Sequence, residues 1–266
     1  MKELKVAIDA AIAASECTRR EFARPSGIKA KSEMDFVTAT DEAVEKLMVE
    51  RLQAAFPEHR ILGEESAKPP WHLDEGTVWV LDPVCGTESF AFGLPLFCTN
   101  ILLLRDGEPV LAVVAEGLRD EIVYAVRGQG TQLLSAGGAV TSLRGHITRT
   151  TMVNYDCGYA RTENRMAFPA AVVSELARRN RYSVRELGTS ATLPMQVRGV
   201  LAGNIFDAAC PWDLGAGAFL CEEAGHPVSA HDGSPWRPDG SPIVTGRDAA
   251  THAELLDVLQ AARAEV

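Results

Sequence analysis

The residues with chemical potential are carboxylates at the ends of short apolar runs. Glu64 and Glu65 follow Arg60-Ile61-Leu62-Gly63, Asp82 closes Val78-Trp79-Val80-Leu81, and Asp213 follows Pro211-Trp212. Asp41 opens a helical stretch. Carboxylate oxygens are the hard ligands that Mg²⁺ takes, and two cations sharing a bridging carboxylate can clamp a phosphate. The backbone N–H groups of Gly86 and Thr87, if they open a helix, would receive phosphate oxygens. Each position also has a purely structural explanation. Asp82-Pro83 suits a turn, and Asp41 and Asp213 are acidic residues at helix N-termini, where the dipole favours them. Taken alone, these residues indicate an acidic cluster with a phosphate cradle and nothing more specific.

Hydrophobic spacing outlines the scaffold that must position them. Leu4, Ala7, Ile8, Ala11 and Ile12 predict an amphipathic helix over 3–23, stopped by Arg24-Pro25-Ser26-Gly27. Phe36-Val37 is a short extended piece in an irregular polar stretch. Thr38 stands three residues before Asp41, a capping-box spacing with Asp in place of Glu. It introduces a helix over 41–56 with Val44, Leu47, Met48, Leu52 and Phe56 on one face and Pro57 as its stop. Strands are predicted at 60–63, 78–81, 99–104, 110–115 and 121–126, the last three forming an antiparallel meander through turns at Asp106-Gly107 and Leu118-Arg119-Asp120. The Gly-rich stretch 128–147 holds one more strand. Beyond it, strands at 151–155, 182–186 and 204–208 alternate with helices at 163–179, 190–200, 213–223 and 249–264. This rhythm divides the chain into an N-terminal α+β domain, 1–147, carrying most of the acidic motifs, and a C-terminal α/β domain, 148–266, that closes over them.

Composition narrows the class. The 266 residues carry 36 acidic and 26 basic side chains, a formal charge of −10, which argues against a general nucleic-acid binder. It leaves room for a small phosphorylated substrate neutralised by cations. Cys17, Cys85, Cys98, Cys157, Cys210 and Cys221 are scattered with no CxxC pair. A chain of this length builds its core without disulfides, so they read as reduced thiols of a cytoplasmic protein. No apolar run approaches the ~18–20 residues of a membrane span. Asp9 and Glu16 break the N-terminal apolar stretch, which argues against a signal peptide.

Together the motifs resemble the inositol monophosphatase family of Mg²⁺-dependent phosphatases. Gly63-Glu64-Glu65-Ser66 looks like its GEES stretch, and residues Trp79 to Phe90 look like its W-x-x-D-P-x-D-G-T-x-x-F signature, broken at Cys85. Trp212-Asp213-Leu214-Gly215-Ala216-Gly217 with Glu223-Ala224-Gly225 is similar to its W-D-x-A-A-G … E-A-G signature. Val37-Thr38-Ala39-Thr40-Asp41 and Gly188-Thr189-Ser190-Ala191 match two further stretches, so the resemblance spans essentially the whole chain.

The resemblance implies a layered α-β-α-β-α sandwich of the sugar-phosphatase type, mixing α+β and α/β character. It implies a homodimer, Mg²⁺ as cofactor with Mn²⁺ as an alternative and Zn²⁺ as the poorer fit, and no nucleic-acid or membrane partner. The substrate would be a small phosphorylated metabolite: a sugar, cyclitol or nucleotide phosphate. Glu64, Asp82 and the Val84 carbonyl would bind a first metal, with Asp82 bridging to a second held also by Asp213. Asp41 and Thr87, with Glu64, would form the catalytic set that orients and activates the attacking water, without a phosphoenzyme. Gly86 and Thr87 amides would hold phosphate, with Gly188, Thr189 and Ser190 beside the substrate.

Three departures stand out. Cys85 falls where the family carries an aspartate for the second metal. A thiol with a pKa of about 8.5 is mostly neutral at pH 7, and sulfur is soft where Mg²⁺ prefers oxygen, so that position should be weakened. Glu88 is read in three ways: a dipole-stabilised helix-start carboxylate, a replacement for the oxygen that Cys85 removes, or a charge repelling phosphate. Phe206, seven residues before Asp213, stands where inositol-specific members place a glutamate on the ring, unless neighbouring Asp207 takes that role. Arg161 and Arg165 are further candidate substrate contacts. Three functions are compatible: a metal-dependent phosphatase, an enzyme using Cys85 as nucleophile or as ligand for a softer metal such as Zn²⁺, or a phosphate-binding protein without catalysis.

Overall fold

The computed structural model describes residues 1–22, 24, 27–30, 36–143, 149–158, 166–207 and 209–266. Arg161 and Arg165 lie outside the described residues. The chain opens with α1 (Lys2–Glu21), a small antiparallel pair of β1 (Lys29–Ala30) and β2 (Phe36–Val37), and α2 (Ala39–Ala55). It continues through β3 (Arg60–Gly63), β4 (Thr77–Cys85), the short α3 (Thr87–Ala91), β5 (Cys98–Arg105), β6 (Glu108–Glu116), β7 (Glu121–Val126), β8 (Gly130–Ser135) and β9 (Val140–Ser142). These seven strands form one sheet in chain order. β3 runs parallel to β4 and the rest is the expected antiparallel meander.

The second half contributes β10 (Met152–Asp156), α4 (Ala167–Arg179), β11 (Ser183–Arg185), α5 (Thr192–Val197), β12 (Gly203–Phe206), α6 (Pro211–Glu223), β13 (Val228–Ala230), β14 (Ile243–Gly246) and α7 (Ala249–Glu265). Its strands form a 5-stranded sheet in the order β11-β10-β12-β14-β13. β10 is parallel to both β11 and β12, while β14 is antiparallel to both its neighbours.

Strand alternation distributes side chains between layers. Trp79, Leu81, Ile101, Leu103, Leu111 and Val113 pack with Ala7, Ala10, Ala11 and Ala14 of α1 and Val44, Met48 and Leu52 of α2. The four alanines let α1 approach closely. The intervening residues Val78, Val80, Leu102, Leu104, Ala112 and Val114 face the other way, onto Leu193 and Val197 of α5 and Leu214 and Phe219 of α6. Phe206 and Ile243 of the second sheet join that same core. The far side of the second sheet, with Val153, Tyr155, Ile205 and Val244, packs on Val172 and Leu176 of α4 and Leu255 and Leu259 of α7. This is the five-layer α-β-α-β-α sandwich, with each fully buried leucine contributing about 1.5–3 kcal/mol of transfer free energy.

β5 and β6 are central strands buried on both faces. The strand foreseen at 78–81 does not stop at Asp82. It runs to Cys85, with a register shift between Asp82 and Cys85 that takes Pro83, which has no N–H to donate, out of the regular ladder. β13 and β14 were not foreseen. No helix among the described residues is long and apolar enough to cross a membrane.

Candidate active site

The acidic residues converge where the ends of β3 and β4 meet the first turns of α2, α3 and α6. Asp41 and Asp213 sit at matching places, each the third residue of its helix, with a carboxylate reaching back over the helix start. Asp41 Oδ2 accepts the Thr38 N–H at 2.9 Å and the Thr38 hydroxyl at 2.5 Å. Asp213 Oδ2 accepts the Cys210 N–H at 2.6 Å. The capping explanation is therefore correct for both, but it accounts for only part of each carboxylate. Asp41 Oδ1 accepts the Thr87 hydroxyl at 3.1 Å, across 46 residues of sequence. The same hydroxyl lies 2.9 Å from the Val84 carbonyl. Burial raises the Asp41 carboxyl above its ordinary range, against the lowering effect of the Thr38 and Thr87 hydrogen bonds.

Asp82, Cys85 and Asp213 offer ligand atoms within 4.8 Å of one another. Asp82 is wholly buried, and among the described residues its Oδ1 has no hydrogen-bond partner. Its Oδ2 receives a long 3.5 Å bond from Asn100 Nδ2, and the Cys85 side chain also hydrogen-bonds the carboxyl. Burial, then the neighbouring charges of Cys85, Glu64 and Asp213, push the Asp82 carboxyl well above the usual range. Two carboxylates and a sulfur around an orphaned buried oxygen, with no cationic side chain among those influences, fit a bound cation, whose charge would reverse the repulsion.

Cys85 sits opposite Cys98 in the β4–β5 ladder, as Asp82 sits opposite Asn100. Its Sγ accepts the Ser190 N–H at 3.3 Å and the Ser190 hydroxyl at 3.0 Å. A hydrogen bond with Cys98, then burial, hold the Cys85 thiol well above its ordinary value. His59, one of the two histidines nearest to Cys85 along the chain, stacks on Phe56 and accepts from Trp79 Nε1, so it is engaged away from this thiol.

The remaining predicted residues are placed as follows. Glu64 is half-buried and lies outside the 4.8 Å cluster, though its charge acts on Asp82. Val84 is buried with its carbonyl toward Thr87. Gly86 has φ +93°, and a Cβ there would lie 2.7 Å from the Leu96 carbonyl and 3.0 Å from Thr189 Oγ1, so only glycine joins β4 to α3. Glu88 is exposed on the first turn of α3 and is not part of the cluster. Gly188 is exposed, while Thr189 and Ser190 are buried with their hydroxyls on Cys85. Phe206 is buried in the central core. Asp207 turns to Tyr155, whose hydroxyl donates to Oδ2 at 2.5 Å, and burial pushes its carboxyl up to about 6.

Sequence reasoning missed three participants. Asn100 Nδ2 reaches Ser190 Oγ at 3.0 Å and the Trp212 and Asp213 carbonyls at 3.3 Å, which ties β5 to both α6 and the Cys85 shell. Cys98, opposite Cys85 in the ladder, hydrogen-bonds it. Glu45 is buried, and its Oε2 accepts the Glu65 N–H at 2.7 Å, while a Cβ on Gly63 would lie 2.5 Å from its carboxyl carbon. The available signals were a polar residue inside the apolar run 98–104 and a glutamate one helical turn after Asp41.

Fold and cluster together define a layered α/β protein with a buried carboxylate–thiol site at the junction of its helix starts. The sequence model of the inositol monophosphatase family matches residues 2–264, and the chain belongs to that family. It is similar to "Inositol monophosphatase 2" of Solanum lycopersicum, 32% identical over 262 residues, covering 95% of this chain and 94% of the relative. It is also similar to "Nus factor SuhB" of Escherichia coli strain K12, 31% identical over 239 residues, covering 86% and 85%. The solved structure of an IMPase from Thermotoga maritima shares the fold, with a TM-score of 0.85 at 21% identity, over 100% of this chain and 99% of the other. Family membership supports hydrolysis of a phosphate monoester with a divalent metal.

Proposed function

We propose that this chain hydrolyses a small-molecule phosphate monoester at the Asp82 cluster, with Mg²⁺ held by Glu64, Asp82 and the Val84 carbonyl. The observation that carries the reading is Asp82 itself: wholly buried, with an unpartnered oxygen, beside Asp213 and next to the Thr87–Asp41 pair. Mg²⁺ held there would supply Lewis acidity toward the phosphoryl group and toward water.

The protein side of the chemistry follows from one hydroxyl. Thr87 has a single proton and two acceptors within reach, Val84 O and Asp41 Oδ1. When the Val84 carbonyl is given to a cation, the Thr87 proton is left to Asp41. The Thr87 oxygen then has lone pairs free to accept the proton of the incoming water. Asp41, raised by burial, is the better base behind it for that reason. The amides of Gly86 and Thr87 hold the phosphate. Phe206, buried in the core where inositol-specific members place a ring-binding glutamate, offers no acceptor, so inositol phosphate is the least favoured of the sugar, cyclitol and nucleotide phosphates.

The test is phosphate release from a panel of sugar, nucleotide and inositol monophosphates, with Mg²⁺ or Mn²⁺, at high enzyme concentration. Release that stops on chelation and in Asp82→Asn supports the reading. No release from any member of the panel overturns it.

A further inference from the structure

We infer that Cys85 makes the second cation position a mixed sulfur–oxygen site that takes a borderline divalent cation of the Zn²⁺ or Co²⁺ kind in preference to Mg²⁺. This deepens the reading above and rests on it for the location of the site. The ligand set is two carboxylates, Asp82 and Asp213, and one sulfur, Cys85, within 4.8 Å of one another. Asp82 contributes a fully buried oxygen without a partner. Ligands of one tetrahedral ion sit about 3.5 Å apart when each is about 2.0–2.3 Å from the metal, so closure of roughly 1 Å completes the site. Three protein ligands would leave a fourth position open for water or a phosphate oxygen.

Two features single out Cys85 as the ligand. The Ser190 N–H and hydroxyl both donate to its sulfur, which fixes the sulfur beside Asp82 and Asp213. Cys98, across the ladder, instead donates its S–H to Asn100 Oδ1 at 3.4 Å and lies outside the cluster. On binding, a metal–sulfur bond forms and the Cys85 proton passes to solvent, with no change of oxidation state. Sulfur is a poor ligand for Mg²⁺ and a good one for Zn²⁺ and Co²⁺, so the replacement of an oxygen ligand by Cys85 sets the preference.

The experiment is a Co²⁺ titration of the full chain after chelator treatment, read by the sulfur-to-cobalt charge-transfer absorption in the near ultraviolet. The expected result is one such band saturating at one ion per chain, erased by Zn²⁺ and unaffected by excess Mg²⁺. Cys85→Ser should abolish it and Cys98→Ser should retain it. In Cys85→Asp it should be lost, with the affinity for Mg²⁺ relative to Zn²⁺ rising at least about tenfold. Should a variant fail to fold, the wild type decides through peptide mapping, with Zn²⁺ but not Mg²⁺ slowing alkylation of Cys85. No band in the wild type, a band that survives in Cys85→Ser, or equal labelling of Cys85 with and without Zn²⁺ overturns the inference. Phosphate release measured in parallel separates the two claims. Release without a band refutes the sulfur site alone, and a band without release refutes the phosphatase reading alone.

Discussion

Replacing Asp82 with asparagine separates the cost of this carboxylate to the fold from its use to the site. In the cation-free protein Asp82 is buried with Asp213 within 4.8 Å. At that separation and an effective dielectric of about 20, two full negative charges repel by about 3 kcal/mol. Asp82 escapes part of this by holding its proton, since burial and its neighbours push its carboxyl well above the usual range. The gain from Asp82→Asn at pH 8 is therefore bounded at about 1–3 kcal/mol. The amide keeps an acceptor for Asn100 Nδ2 and puts a donor beside Asp213 and Cys85. At about 2–4 °C per kcal/mol for a chain of this size, the variant should melt roughly 2–12 °C higher than wild type in chelator. Cation reverses the order. Wild type gains about 2.7 kcal/mol at a cation concentration one hundred times Kd, and the variant gains close to nothing. Thermal melts of both proteins with chelator and with Mg²⁺ make the assay. A variant that melts lower in chelator, or an equal rise with Mg²⁺ in both proteins, would refute the reasoning.

Other outcomes follow from the same geometry. Thr87→Ala should lower kcat about 10²–10⁴-fold with KM little changed, while Thr87→Ser keeps most activity; a drop in KM alone would contradict the proton-relay role. Asn100→Ala should destabilise by about 1–3 kcal/mol, as read by denaturant unfolding, because it leaves Ser190 and the Trp212 and Asp213 carbonyls without their shared donor. His231 is pushed down to about 4, first by burial and then by Arg263, so its neutral form is the folded one. Its contribution is complete above pH 6.5 and is lost as pH falls toward 4, about 3 kcal/mol in all. Asp207, raised to about 6, acts with the opposite sign between its ordinary 3.8 and that value. The difference between wild type and His231→Gln, measured by melts across this window, isolates the histidine; parallel pH profiles would show the shift to be absent.

The layers were legible in the sequence because burial on two faces leaves a simple trace. The largely apolar runs 99–104 and 110–115 and the Leu4, Ala7, Ile8, Ala11 spacing needed no tertiary knowledge. The Thr38–Asp41 box was readable for the same reason, being local. What escaped depended on register. Asn100 faces Asp82, and Cys98 faces Cys85, only because β4 and β5 pair with a shift at Pro83. A single sequence does not show that shift, and it had made Asp82 look like a strand end. β13 and β14, at three and four residues, are too short for alternation to announce them. Thr189 and Ser190 illustrate a different limit. Their motif placed them near the site, but their hydroxyls turn to Cys85, a contact 104 and 105 residues away in sequence.

Crystals soaked with Mn²⁺ and inorganic phosphate test the central claim most directly, through the anomalous signal of the metal. The account predicts Mn²⁺ on Glu64, Asp82 and the Val84 carbonyl, with phosphate between it and the amides of Gly86 and Thr87. Metal and phosphate bound elsewhere, or Asp82 left untouched at saturating Mn²⁺, would contradict it.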